Sequence, residues 1–146
     1  MQFKNIYRTR DHDTVADAIK DYRYMTGDGD LGEWLLNEDH YAFMDEVGNL
    51  GIIRKDRDGL FDSHIFFKSR GREAYKKAVD MMMNAFDNYD VKIMRGYTPL
   101  YNKAARWMNR QLGYTSYGPL PDLDPPCELF IVTKDEFYTK HGVVNE

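Results

Sequence analysis

The stretch HIFFKSRGREAYKKA, residues 64–78, decides how this chain is read, because it starts as a strand and ends as a helix. At the junction, Arg70, Gly71 and Arg72 put two cations around a glycine at a helix N-terminus. That end of a helix already carries partial positive charge, so two arginines there are locally unfavourable unless an anion offsets them. Glu73, in the first turn, is one candidate: it would complement the dipole and pair with Arg70 or Arg72. A bound phosphate is the other, since a helix N-terminus presents free N–H groups and glycine lets a backbone approach a ligand. The arginines would then add charge-assisted hydrogen bonds to the phosphate oxygens.

Downstream, Ala74, Ala78, Met81, Met82, Ala85 and Phe86 recur at helical spacing and form one apolar stripe. VKIMRGY (91–97) reads as a strand, so residues 64–97 make a strand-helix-strand unit, which predicts parallel pairing through a right-handed crossover. Upstream, HYAFMDEVG (40–48), LGIIRKD (50–56) and the strand over 61–68 predict an antiparallel meander, with turns at Gly48-Asn49 and Arg57-Asp58-Gly59. Before it, Phe3, Ile6 and Tyr7 alternate as a first strand. Asp11 and Asp13 offer N-caps for a helix through about Tyr24, with Val15, Ala18, Ile19 and Tyr22 on one face. TGDGD (26–30) reads as a turn, and LGEWLLNED as a short helix burying Leu31, Trp34 and Leu35. Thr98-Pro99 predicts the start of a further helix, with Ala105, Met108 and Leu112 on one face and Gly113 at its end. A strand begins over 114–117, PLPDLDPP is a loop, and ELFIVTK (128–134) is the last strand. The predicted order is β-α-α-β-β-β-α-β-α-β-β: one α/β domain over 1–146, with a mixed, mostly antiparallel sheet.

Bulk properties limit the function. A chain of 146 residues, 42% apolar and 30% charged, is long enough for one real core and is not membrane-embedded in composition. No apolar run approaches bilayer length. MQFKNIYRTR lacks a hydrophobic signal core, so a cytoplasmic protein is expected. One cysteine, Cys127, excludes an internal disulfide and fits a reducing compartment. A net charge of −4 argues against broad nucleic-acid binding. The four histidines and the cysteine show no metal-ligand spacing, and DGDLGEWLLNED is out of register for a calcium loop. No G-x-S-x-G, Walker or dinucleotide fingerprint is present.

The element order resembles the GNAT fold of acyl-CoA-dependent N-acyltransferases, and two stretches sharpen the likeness. The family's fourth strand runs into a loop often written RGKGIG, whose amides hold the CoA pyrophosphate. Arg70-Gly71-Arg72 matches its first three positions, while Glu73 and the bulkier Tyr75 fall at the two glycines. Small phage GNAT-like proteins look closer to RGK-x-A, which Arg70, Gly71, Arg72 and Ala74 match. The second stretch, N-x-x-A followed by Y-x-x-x-G-F, appears as Asn102-Lys103-Ala104-Ala105 and Leu112-Gly113-Tyr114, with Asn109 at the tyrosine position.

The resemblance implies acetyl-CoA as co-substrate and direct transfer of an acetyl group to an amine. It implies cofactor contacts at Phe66, Phe67, Lys68, Arg70, Gly71, Arg72, Ala74 and Asn102. Asp62 and His64, with Glu46 across the hairpin, are candidate bases. In blander readings Asp62 is a turn residue and His64 a half-exposed strand residue. Tyr97 and Tyr101 are candidates to replace the missing tyrosine as general acid, or are packing residues. A second reading keeps the shape without the chemistry: a non-catalytic phage protein with an assembly or interaction role, its partner a virion or host protein.

Overall fold

Alternating apolar residues and tight glycine turns build the centre of the sheet first. The computed structural model describes residues 5–20 and 30–142. Ile6–Thr9 (β1), His40–Asp45 (β2), Leu50–Arg57 (β3) and Leu60–Phe66 (β4) pair antiparallel in sequence order. The turns between β2 and β3 and between β3 and β4 carry Gly48 at φ 97° and Gly59 at φ 80°, backbone that other residues adopt only with strain. Gly71–Asn88 (α3) then crosses over to Ile93–Pro99 (β5), which pairs parallel with β4. Thr115–Leu120 (β6) and Cys127–Thr133 (β7) complete a seven-stranded sheet in the order β1-β2-β3-β4-β5-β7-β6. The mixed, mostly antiparallel sheet expected from the sequence is therefore present.

The two-residue period of the strands divides the core between the faces of this sheet. On one face, His12–Ile19 (α1) and Leu31–Leu36 (α2) bury Val15, Ile19 and Leu35 against Ala42, Met44, Leu50 and Phe66. Asp11 caps α1, its carboxylate accepting from the Thr14 amide at 3.1 Å. On the other face, α3 lays Ala78, Met81, Met82 and Phe86 on Phe43, Ile53, Phe61, Met94 and Phe130. Ala74 and Ala78 keep the start of α3 close to the sheet, as their small size predicts. The expected Phe3 strand residue, the end of the first helix at Tyr22 and Tyr24, and most of the 26–30 turn lie outside the described residues.

Three local expectations are corrected. Thr98 and Pro99 do not start a helix: they continue β5, opposite Glu128 and Cys127. Lys103–Leu112 (α4) starts four residues later, where Asn102 accepts the Ala105 amide at 3.1 Å, a better cap than a threonine tied into a ladder. Pro119 and Leu120, expected in the loop, extend β6 along the sheet edge, where a missing N–H leaves no inner ladder broken. Beyond the last strand, Lys134–Lys140 (α5) forms a helix under a capping box of Thr133 and Glu136. It buries Phe137, whose ring lies 5.3 Å from that of Phe86.

Between α4, β6 and β7 sits a buried carboxylate. Glu128 is 3% exposed and accepts from Arg106 Nε at 2.6 Å, from Arg110 and from the Ser116 hydroxyl. Burial alone would raise its pKa, but these donors outweigh burial and hold the carboxyl below its ordinary 4.5. A depressed folded value means the stabilisation is present above pH 4.5 and lost as pH falls through that value. Glu128→Gln should cost about 2 kcal/mol at neutral pH, with the gap from wild type closing in acid. Thermal melts from pH 7 to about pH 3 check this.

Candidate functional site

The sheet opens where the one parallel pair among the described strands parts. β4 and β5 pair at Leu60–Ile93, Phe61–Met94 and Asp62–Arg95, and no further. Past that point β4 stays with β3 as far as Phe66, while β5 stays with β7 as far as Pro99. Each strand follows its antiparallel neighbour, so the sheet splits.

Two cavities meet at the split. On the α3 and α4 side, a groove of about 130 Å³ is lined by Ser63, Ile65, Ala78, Met81, Gly96, Thr98, Asn102 and Asn109, among others. On the α2 side, a wider recess of about 370 Å³ is lined by Trp34, Ile52, Arg54, Asp62, Ser63, His64, Arg95 and Tyr97. Ile52, Ser63, His64 and Tyr97 border both. A group held at the split can therefore face a ligand on either side of the sheet.

The loop between β4 and α3 is held from beneath. Asn49, fully buried, accepts the amides of Lys68 and Ser69 at 2.7 and 3.0 Å through Oδ1. Its Nδ2 donates to Asp45 Oδ2 and Ser69 Oγ, each at 2.9 Å. Asp45 Oδ1 in turn accepts the amides of Val47, Gly48 and Asn49. The β2–β3 turn thus fixes the loop that leads into α3.

Arg70 and Arg72 part company there. Arg70 folds its guanidinium back to donate to the carbonyls of Phe67 and Ser69. It occupies the N-cap of α3 but makes no side-chain cap, so the first amides of the helix receive no side-chain oxygen. Gly71 follows at φ 58°, and a Cβ built there would meet nothing within 4 Å, so the space beside its Cα is open. Arg72 is exposed and makes no ion pair among the described residues. Glu73, also exposed, pairs with neither arginine. Tyr75 directs its bulk sideways: it packs against the core of the α3 face, 6.4 Å from the ring of His141. Ala74 is buried, and the side chains of Phe66 and Phe67 sit in the two opposite cores.

The candidate acid–base residues fall into different environments. Partial burial would raise the pKa of Asp62, but Arg95 Nε at 2.6 Å and Arg54 at 3.0 Å hold the carboxyl below its ordinary range. His64 borders both cavities, tilts against Phe66 at 4.5 Å and hydrogen-bonds through neither ring nitrogen among the described residues. Its burial pushes its pKa below 6.5, which leaves a neutral imidazole at pH 7. Glu46 lies away from the split and pairs with Lys77 at 2.7 Å. Tyr97 borders both cavities, whereas Tyr101 is 61% exposed and lines neither. Asn109 donates to the Thr98 hydroxyl at 2.9 Å, and Asn102 borders the groove while it caps α4.

Several residues at the split had no signal in the sequence. Tyr114, read only as the aromatic after Gly113, is buried and shares a hydrogen bond with Ser63 at 3.0 Å. Burial, partly offset by that bond, pushes its phenol up to about 12. Arg54 and Arg95 reach the recess only because β3 and β5 flank Asp62 from two sides, a register that no local pattern discloses.

Comparison with solved structures supports the same architecture. Mutant forms of the spermidine/spermine N-acetyltransferase SpeG from Vibrio cholerae superpose with a TM-score of 0.72 at 8% identity, over 95% of this chain and 99% of theirs. An aminoglycoside acetyltransferase AAC(6')-Ib in complex with coenzyme A gives 0.69 at 12% identity, over 94% and 98%. A GCN5-related N-acetyltransferase from Brucella melitensis gives 0.61 at 15%, over 77% of this chain and 59% of that one. The chain has the fold of these acetyltransferases. No family profile and no curated protein matches the sequence.

Proposed function

We propose that this protein is an acyl-CoA-dependent N-acetyltransferase, with acetyl-CoA held in the groove between β4 and β5 and its pyrophosphate at the start of α3. The observation that carries this reading is the opened parallel pair beside an uncapped helix start with open space beside the Gly71 Cα. The α3 amides and Arg72 would hold phosphate oxygens, while Arg70 shapes the loop through its carbonyls. Phe66, Phe67 and Lys68 would flank the cofactor through the backbone, and Asn102 would border it.

Bound acetyl-CoA would supply a thioester as the acyl donor. The acceptor amine would enter from the α2 side; as the amine nitrogen attacks the thioester carbonyl carbon, His64, neutral and without a hydrogen-bond partner among the described residues, would take the amine's proton. Carbon–sulfur cleavage releases the thiolate, to which Tyr97 can return a proton across the split. Asp62 supports this arrangement as the partner of two arginines rather than as the base.

Arg72→Ala should weaken acetyl-CoA binding about tenfold, the size of one charge-assisted hydrogen bond, with no change in thermal midpoint. Calorimetry with CoA and dephospho-CoA refines the placement. A loss confined to CoA puts Arg72 at the 3′-phosphate, equal losses put it at the pyrophosphate, and unchanged affinity for both contradicts the site. The second reading, a non-catalytic phage protein with a virion or host partner, draws on Asn109, whose amide is engaged by Thr98 where the family's mechanism uses a tyrosine. Cofactor binding without transfer to any amine would favour it.

A further inference from the structure

The recess on the α2 side is unsuited to a polycation. Among the described residues its charged lining is Arg54, Arg95 and Asp62, two cations to one anion. That carboxylate is already engaged by both guanidiniums, at 2.6 and 3.1 Å from Arg95 and 3.0 Å from Arg54. Asp56 lies 3.5 Å from Arg95 but outside the lining, where it engages the same guanidinium. Among the described residues, no carboxylate of the recess is left to receive an ammonium group. Donors do remain: among the described residues Arg54 has one partner, Asp62, and its side chain is 56% exposed. The rest of the described lining is Trp34, stacked on His40 at 4.2 Å, with Ile52, Ser63, His64 and Tyr97. About 370 Å³ suits an acceptor of amino-acid size.

From this we infer that the acceptor is a small primary amine that also carries a carboxylate, bound by Arg54 with its apolar part against Trp34 and its amine toward His64. This rests on the acetyltransferase reading above and names the substrate class of that same site. A fork of guanidinium N–H groups matches a carboxylate, and the Arg95–Asp62 pair behind it keeps Arg54 oriented.

The test compares two acceptors of the same shape, L-phenylalanine and phenethylamine, which lacks the carboxylate, with spermidine as the polycation. At saturating acetyl-CoA, thiol release should give a kcat/KM about tenfold or more higher for L-phenylalanine than for phenethylamine, with spermidine poorest. Arg54→Gln, at an exposed position that keeps the fold, should lower the L-phenylalanine to phenethylamine ratio about tenfold. Comparing this ratio between wild type and variant cancels the different basicities of the two amines. A preference for phenethylamine or spermidine, or an unchanged ratio in Arg54→Gln, would each overturn this inference. Failure to bind acetyl-CoA, or binding without transfer to any of the three amines, would instead overturn the reading beneath it.

Discussion

His64→Gln is expected to lower kcat for acetyl transfer by about 10²- to 10⁴-fold, the range for loss of a positioned general base. Three observations support the size of this effect. His64 borders both cavities at the split, neither of its ring nitrogens is hydrogen-bonded within the described residues, and Asp62 is held by two arginines. The substitution keeps a polar side chain of similar size, so acetyl-CoA binding and thermal midpoint should change little. Burial disfavours the imidazolium, so the ring is neutral and able to accept a proton above its depressed pKa. Wild-type activity should therefore fall with decreasing pH through a midpoint below 6.5, and this limb should vanish in the residual activity of the variant. An unchanged kcat, or a midpoint above 6.5, would remove His64 from the mechanism.

Asn49→Ala is expected to cost about 3–4 kcal/mol of stability, or roughly a 10 °C fall in thermal midpoint for a domain of this size. The cost follows from what is left behind. The amides of Lys68 and Ser69 lose their acceptor and Asp45 Oδ2 loses a donor, around a side chain that is itself fully buried. Because the loop so released leads into α3, acetyl-CoA affinity should fall with stability. Asn49→Asp discriminates further: it keeps the acceptor for both amides but sets a second carboxylate against Asp45, and should also destabilise. A midpoint within 2–3 °C of wild type for Asn49→Ala would show that the loop holds itself.

The sequence carried the strand-helix-strand unit well, because parallel pairing through a helix needs what residues 64–97 display: a strand, one apolar stripe and a second strand. The meander was equally legible from Gly48 and Gly59, whose positive φ values set its turns. Thr98 misled because a good N-cap residue followed by proline is a local signal, whereas its place opposite Glu128 is a non-local one. The last helix was missed: the strand reading of ELFIVTK ran through Lys134, across the Thr133–Glu136 capping box that starts the helix.

At the site, a glycine at the start of α3 was legible, but the separate duties of Arg70 and Arg72 were not. Two arginines one residue apart look alike in sequence, and only the loop geometry turns one onto carbonyls and leaves the other exposed. Of the two residues that depart from the glycines of RGKGIG, Glu73 is exposed without an arginine partner among the described residues, and Tyr75 packs against the core beside His141. The arginine pair around Asp62 was invisible for the same reason as Thr98, since three strands must be in register before Arg54 and Arg95 meet it.

Titration of acetyl-CoA into the purified protein by calorimetry tests the central claim most directly. The opened β4–β5 pair and the uncapped start of α3 predict a saturable, one-to-one heat at concentrations below about 1 mM, the upper range for a working co-substrate. No heat, with no shift in thermal midpoint at the same concentration, would contradict it.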